Sequence, residues 1–246
     1  MSKAPTLRLD RLLANLGYGS RREAQWLVSQ GLVVLDGRPL KDSDQRLAVT
    51  PDLSERMFVQ GVALDPPPGF ALMLNKPTGV TCSHKEVGEL VYSLLPDRWR
   101  LRDPAISTVG RLDKDTSGLL LMTDDGALLH RIISPRAKIA KRYLVTTARP
   151  LEGHEAGRFA AGDLMLEGED KPLLPAQMEV LGTHSAHLTL SEGRYHQVRR
   201  MFAALGNHVE ALHRDRIGQL DLPADLTPGA LRILSPDDLD EVFRQI

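Results

Sequence analysis

One cysteine, Cys82, is present in 246 residues, so neither an intrachain disulfide nor a zinc site built on paired thiolates can form. Long apolar runs are missing as well. No stretch approaches the roughly 18 residues that a membrane helix needs, and the N-terminus has no apolar segment resembling a leader. A cytoplasmic protein is expected. Of the eight histidines only His184 and His187 lie close together, without further ligand candidates nearby, so no metal site is expected. A net charge of −1 excludes a uniformly basic nucleic-acid coat. There is no internal repeat and no low-complexity tract.

What charge there is has been sorted along the chain. From Met1 to Asp42 seven cations (Lys3, Arg8, Arg11, Arg21, Arg22, Arg38 and Lys41) face four acids. From Arg131 to Arg149 there are six cations (Arg131, Arg136, Lys138, Lys141, Arg142 and Arg149) and no acid. Compensating acids sit at Glu152–Asp170 and near the C-terminus, at Asp237, Asp238, Asp240 and Glu241. Such segregation suits a protein with one phosphate-facing side, although a pair of solvated faces reads the same way on charge alone.

Leu9, Leu12, Leu13 and Leu16 fall at helical spacing and stop at Gly17; Ser20-Arg-Arg-Glu23 is a capping box that predicts a second helix to about Gln30. Leu32–Leu35, Asp36-Gly37 and Arg38–Leu40 read as strand, hairpin turn and strand, with Met57–Val59 a further strand. Arg21 and Arg22 stand in the first turn of the second helix, where the dipole prefers acids, so they are expected to face phosphate. Pro66-Pro-Pro-Gly69 reads as a stiff linker. The expected organisation is a small domain over 1–65, a linker over 66–69 and a larger domain over 70–246.

Downstream, Ala71–Asn75 reads as a strand running into the turn Lys76-Pro-Thr-Gly79, and Leu119–Met122 as a buried strand leading through Asp124, a candidate N-cap, into a short helix. A strand begins at Tyr143, and Ala186–Leu190 alternates like a half-buried strand. Val198, Met201, Phe202 and Leu205 mark a helix closed by Gly206. Strands without crossover helices between them favour an α+β domain with a mixed, largely antiparallel sheet flanked by helices.

The loop Gly110-Arg-Leu-Asp-Lys-Asp-Thr-Ser-Gly118 places Asp113 between two cations and anchors it on an apolar strand. An isolated Arg-x-Asp is more often a loop ion pair of Arg111 with Asp113 than a site. Two further segments stand with it: Lys141-Arg-Tyr143, and Glu192-Gly-Arg-Tyr-His-Gln-Val-Arg199-Arg-Met201. The set resembles pseudouridine synthases of the RsuA type. The N-terminal Arg-Leu-Asp-Arg-Leu-Leu, Ser-Arg-Arg-Glu-Ala and Val-Val-Leu-Asp-Gly segments resemble an S4 RNA-binding domain.

That resemblance implies isomerisation of uridine to pseudouridine in RNA, with no cofactor or metal. Asp113 matches the family's catalytic aspartate, and a carboxylate near C1′ suits the positive character that develops as the N1–C1′ bond breaks. Arg199 matches the basic residue expected to pair with Asp113, and Tyr143 the active-site tyrosine, although with aromatics at 4% of the chain an aromatic in a basic strand also suits a core. Arg111, Arg194, His196 and Gln197 are expected to hold the flipped nucleotide. Arg8, Arg11, Arg21, Arg22 and Lys41, with Lys76, Lys141 and Arg142, are expected on the RNA-binding surface. Within the family, Arg-Tyr-His-Gln-Val and Ala211-Leu-His-Arg-Asp-Arg-Ile-Gly218 look more like the small-subunit enzyme, which implies 16S rRNA as substrate, at uridine 516, and rRNA or an assembly intermediate as partner. A 23S rRNA target and a noncatalytic ribosome-assembly factor are the alternatives. A monomer is expected.

Overall fold

The computed structural model describes residues 4–83 and 87–244, so Lys3 of the basic N-terminal set lies outside the described residues. The chain folds as two compact units. One comprises Met1–Ala71, Leu95–Ser107 and Thr123–Gly126, the other Leu72–Leu94, Thr108–Met122 and Ala127–Ile246.

In the first unit the leucines at helical spacing do what their period requires. Helix Leu9–Asn15 buries Leu9, Leu12 and Leu13 completely, and Leu16 follows them into the core. Helix Arg21–Ser29 starts at Ser20 with both halves of its capping box made: the Glu23 amide donates to Ser20 Oγ at 3.3 Å, and the Ser20 amide to Glu23 Oε2 at 2.7 Å. Strands Val33–Leu35 and Arg38–Pro39 turn at Asp36 and Gly37, whose φ values of 51° and 77° are those of a type I′ hairpin. Met57–Val59 pairs antiparallel with Val33–Leu35.

Two later segments complete this unit. Arg102 and Asp124, each with a side chain 1% exposed, form an ion pair at 2.7 Å, and Asp124 Oδ1 also accepts the Gly69 amide at 2.8 Å. Asp124 is therefore not the expected helix N-cap. Its carboxylate serves a buried guanidinium and ties down the irregular Pro66–Gly69 segment, while helix Gly126–Ile133 begins later, after Thr123 Oγ1 has accepted the Asp125 amide at 3.0 Å. Arg98 grips Asp65 and lies over the Tyr18 ring at 4.2 Å.

The second unit is built on a nine-stranded sheet whose main path runs Gln177–Gly182, Ser185–Leu190, Lys141–Thr147, Val209–Ile217, Thr116–Thr123, Ala71–Lys76 and Leu231–Ile233. The sheet is mixed. Lys141–Thr147 pairs antiparallel with both neighbours, whereas Val209–Ile217 and Thr116–Thr123 are parallel. In that parallel pair Gly118 opposes Arg214 at φ +104°, and a Cβ there would stand 2.2 Å from the Arg214 carbonyl oxygen. Only glycine fits. Ser185–Leu190 buries Ala186, Leu188 and Leu190, and helix Gln197–Ala204 buries Val198, Met201 and Phe202 against the same core, where Phe202 meets Phe159 edge-on at 5.2 Å. The α+β architecture is the expected one.

Candidate active site

The loop carrying Asp113 is held from beneath. Lys76, at the end of strand Ala71–Lys76, is completely buried, and its Nζ donates to the carbonyl oxygens of Pro77 at 3.0 Å, Asp113 at 3.2 Å, Lys114 at 3.3 Å and Thr116 at 2.9 Å. Burial lowers the Lys76 pKa from the ordinary lysine value. The remaining loop carbonyl, Asp115 O, accepts Arg199 Nη2 at 3.1 Å. Four consecutive carbonyls thus turn to two cations, and Thr116 N closes the turn on Asp113 O at 3.0 Å. Gly110, with φ +73°, lets the chain enter the loop, which ends where strand Thr116–Thr123 begins.

Asp113 lines a cleft of about 540 Å³ together with Arg111, Lys141, Tyr143, the Arg194–Val198 segment, Leu212 and Arg214. Its carboxylate is about a third exposed, with His196 Nε2 at 3.5 Å from Oδ1. His196 precedes helix Gln197–Ala204 in a left-handed conformation, φ +48°. Arg111 stands exposed at the same wall and, among the described residues, has no ion-pair partner. Burial, and then the charge of Arg214, brings Lys141 down to about 8; its Nζ donates to Ile139 O at 3.0 Å. Arg214 is 3% exposed, donates from Nε to Leu119 O at 2.8 Å, and lies 6.0 Å from the centre of the Tyr143 ring. Among the described residues its Nη2 is enclosed without an acceptor, an unusual state for a buried guanidinium.

Several expected roles change. Arg199 does not pair with the Asp113 carboxylate: its guanidinium spans Asp115 O and Val209 O, the latter at 2.8 Å from Nη1, so it acts on Asp113 through the loop backbone. Lys76 is no RNA contact, because none of it reaches the surface. Arg194 is consumed by Glu169 at 3.1 Å, Glu192 at 3.3 Å and the carbonyls of Lys171 and Pro172. Gln197, 4% exposed, accepts the Arg194 amide at 2.8 Å and donates to Glu192 at 2.9 Å. Both build the wall without offering a free group to a ligand. Arg142 alternates away from Lys141 and Tyr143 to the other sheet face, where Asp215 holds it at 2.9 Å and Asp221 at 3.3 Å. Sequence reasoning missed Arg214 as a cleft residue, although it stands inside the segment Ala211–Gly218.

A carboxylate on a braced loop, with a tyrosine and several cations lining the same cleft, forms a pocket for a polar, anionic substrate. The family model described as RNA pseudouridylate synthase matches residues 71–204, more than half of the chain, and the S4 domain model matches residues 7–50. The chain belongs to the RNA pseudouridylate synthase family.

This pseudouridine synthase is 40% identical over 238 residues to ribosomal small subunit pseudouridine synthase A of Pasteurella multocida, covering 95% of this chain and 98% of that protein. It is 41% identical over 239 residues to the Escherichia coli K12 protein of the same name, covering 96% and 100%. A crystal structure of a pseudouridylate synthase superposes with a TM-score of 0.67 at 36% identity, covering 96% of this chain and 99% of that one. In the S4 domain of the synthase, Arg8 and Arg21 are not free phosphate ligands. Both reach the buried Asp10, at 2.9 and 3.0 Å, and Arg8 also grips Asp44. Burial pushes the Asp10 carboxyl up, but hydrogen bonds from Arg8, Gln25 and Arg21 outweigh it and hold the group at about 2. Arg11, Arg22 and Lys41 are exposed and, among the described residues, unpaired. Among the described residues no cluster of three metal-ligating side chains occurs, and no helix is long and apolar enough to cross a membrane.

Proposed function

We propose that this pseudouridine synthase converts uridine 516 of 16S small-subunit rRNA to pseudouridine, with Asp113 as the catalytic carboxylate. The near-full-length match to small-subunit enzymes supports the substrate. For Asp113 the supporting observation is a partly exposed carboxylate in the cleft, on a loop whose carbonyls from Asp113 to Thr116 are all bound by Lys76 or Arg199.

The chemistry follows from charge. As the N1–C1′ electron pair leaves with the uracil, positive character grows at C1′, and an ionised carboxylate stabilises it by adding to C1′ or by removing the C2′ proton to leave a glycal. The freed base turns, C5 bonds to C1′, and the C5 proton is lost while N1 gains one, so product and substrate are isomers. Tyr143 faces the base, positioned to stack on it and to assist proton transfer at C5. Arg111, exposed beside the cleft, holds a strand phosphate next to the flipped nucleotide. Lys141, partly neutral near pH 8, lies on the cleft wall close to Arg214. The enzyme works as a cytoplasmic monomer without a cofactor.

Pseudouridine maps of both ribosomal subunits, from cells lacking the protein and from cells carrying Asp113→Asn, test the proposal. The expected result is loss of one small-subunit pseudouridine in both strains, with RNA affinity retained by the variant, because phosphate contacts dominate binding. A missing site in 23S rRNA would refute the substrate assignment, and modification by Asp113→Asn would refute the catalytic one.

A further inference from the structure

Tyr195 is out of place for an aromatic residue. Its surface is 72% exposed, in a chain where aromatics are 4% of all residues, and it stands on the lip of the cleft that holds Asp113. A loose loop does not explain this. Arg200 Nη1 donates to the Tyr195 carbonyl at 3.2 Å, Arg194 on one side is tied to Glu169 and Glu192, and Gln197 on the other closes back on the Arg194 amide at 2.8 Å. The Tyr195 ring is stacked on the His196 imidazole, with centroids 3.8 Å apart and planes 19° from parallel. One aromatic face is therefore covered, the ring is oriented, and the second face is left to solvent.

A rigid, oriented aromatic face beside a nucleotide cleft matches one ligand class above others. Every nucleobase offers a π-face, and stacking on exposed aromatics is a main source of single-stranded RNA affinity. A uridine drawn into the cleft also leaves its neighbour in the strand without a stacking partner. We infer that Tyr195 is a stacking platform for the nucleobase directly flanking the target uridine, a subsite separate from the pocket that receives the target itself. His196 serves it from behind: it holds the ring parallel and couples the platform to Asp113 through its 3.5 Å approach to Oδ1. Arg111, exposed on the cleft wall, is available to the phosphate of the same flanking nucleotide. The inference rests on RNA uridine isomerisation in the adjoining cleft.

The test is a double-mutant cycle between protein and RNA. Wild type, Tyr195→Phe, Tyr195→Leu and Tyr195→Ala are assayed on ligated 16S rRNA transcripts. These are intact or carry a base-free ribose immediately 5′ or 3′ of uridine 516, and both Kd and kcat/KM are read. Tyr195→Ala is expected to lower kcat/KM by roughly 10- to 100-fold on intact RNA, mainly through KM, with Tyr195→Phe near wild type and Tyr195→Leu close to the alanine variant. Removing the base on one side should cost the wild type a similar factor and the alanine variant little more. Additive losses on both sides, or a leucine variant as good as phenylalanine, would overturn the platform. Should the wild type bind with this coupling but form no pseudouridine at uridine 516, the platform stands and the target assignment falls. His196→Gln separates the two aromatic residues, since a loss that acts through Asp113 appears in kcat whether or not the flanking base is present.

Discussion

Replacing Lys76 by Met isolates the support of the loop that carries Asp113. The two side chains are similar in length, so the substitution removes an ammonium and little volume. An ammonium has three N–H groups, and here they are shared among four carbonyl oxygens at 2.9 to 3.3 Å. Hydrogen bonds from a charged donor contribute about 1.5–3 kcal/mol each, but desolvating the buried ammonium takes back several kcal/mol. Without the ammonium, Asp113 O keeps only the Thr116 amide and Lys114 O only the Gly79 amide, and as these oxygens and the Thr116 carbonyl take up water the loop is pulled outward. The expected net loss of stability is about 2 kcal/mol, or a fall in Tm of about 4–8 °C for a chain of this size. The larger effect falls on turnover, because a displacement of about 1 Å at a reacting group costs on the order of 100-fold in rate. Tritium release from RNA labelled at uracil C5 reads kcat directly, since that hydrogen is lost when C5 bonds to C1′. RNA affinity should hold, because Lys76 is buried and meets no phosphate. A variant with wild-type kcat, or one that loses RNA affinity while keeping kcat, would refute the assignment of Lys76 as a loop strut.

Two further outcomes follow from buried groups elsewhere. Asp10 has a folded pKa of about 2 against an ordinary 3.8, so its contribution is complete above the unfolded value and is lost as pH falls from about 4 through about 2, a span worth roughly 2 kcal/mol. Chemical denaturation of wild type and Asp10→Asn across that range should show the wild type losing this increment and the variant not; parallel curves would contradict it. Gly118→Ala forces a Cβ to 2.2 Å from the Arg214 carbonyl at a positive φ, and should destabilise the synthase by about 3 kcal/mol or more while displacing Arg214 from the cleft wall. A loss below about 1 kcal/mol in urea unfolding would show that the parallel strands can part there without cost.

Features set by near neighbours in the chain are legible in the residue order alone. Ser20 and Glu23 make their capping box, Asp36-Gly37 makes its hairpin, and Gly110 and Gly118 take positive φ. Asp113, Tyr143 and His196 also come to one cleft, as the three motifs imply. Partner choice is not legible in the same way. Arg142 finds its acids 73 and 79 residues downstream, and Arg194 is claimed by Glu169, 25 residues upstream. A sequence shows that a cation exists but not which carboxylate or carbonyl will neutralise it.

Local periodicity, turn chemistry and motif order determined the elements, the family and the loop on which Asp113 stands, because each depends on residues a few positions apart. Only the tertiary structure decided which cations are available to RNA. Lys76 and Arg199 are drawn to the carbonyls of one loop, Arg8 and Arg21 to Asp10, and Arg111 is left exposed beside the cleft. Burial makes that division: a charge taken out of water must be neutralised or hydrogen-bonded by whatever the fold brings within about 3 Å, and strand register sets what that is.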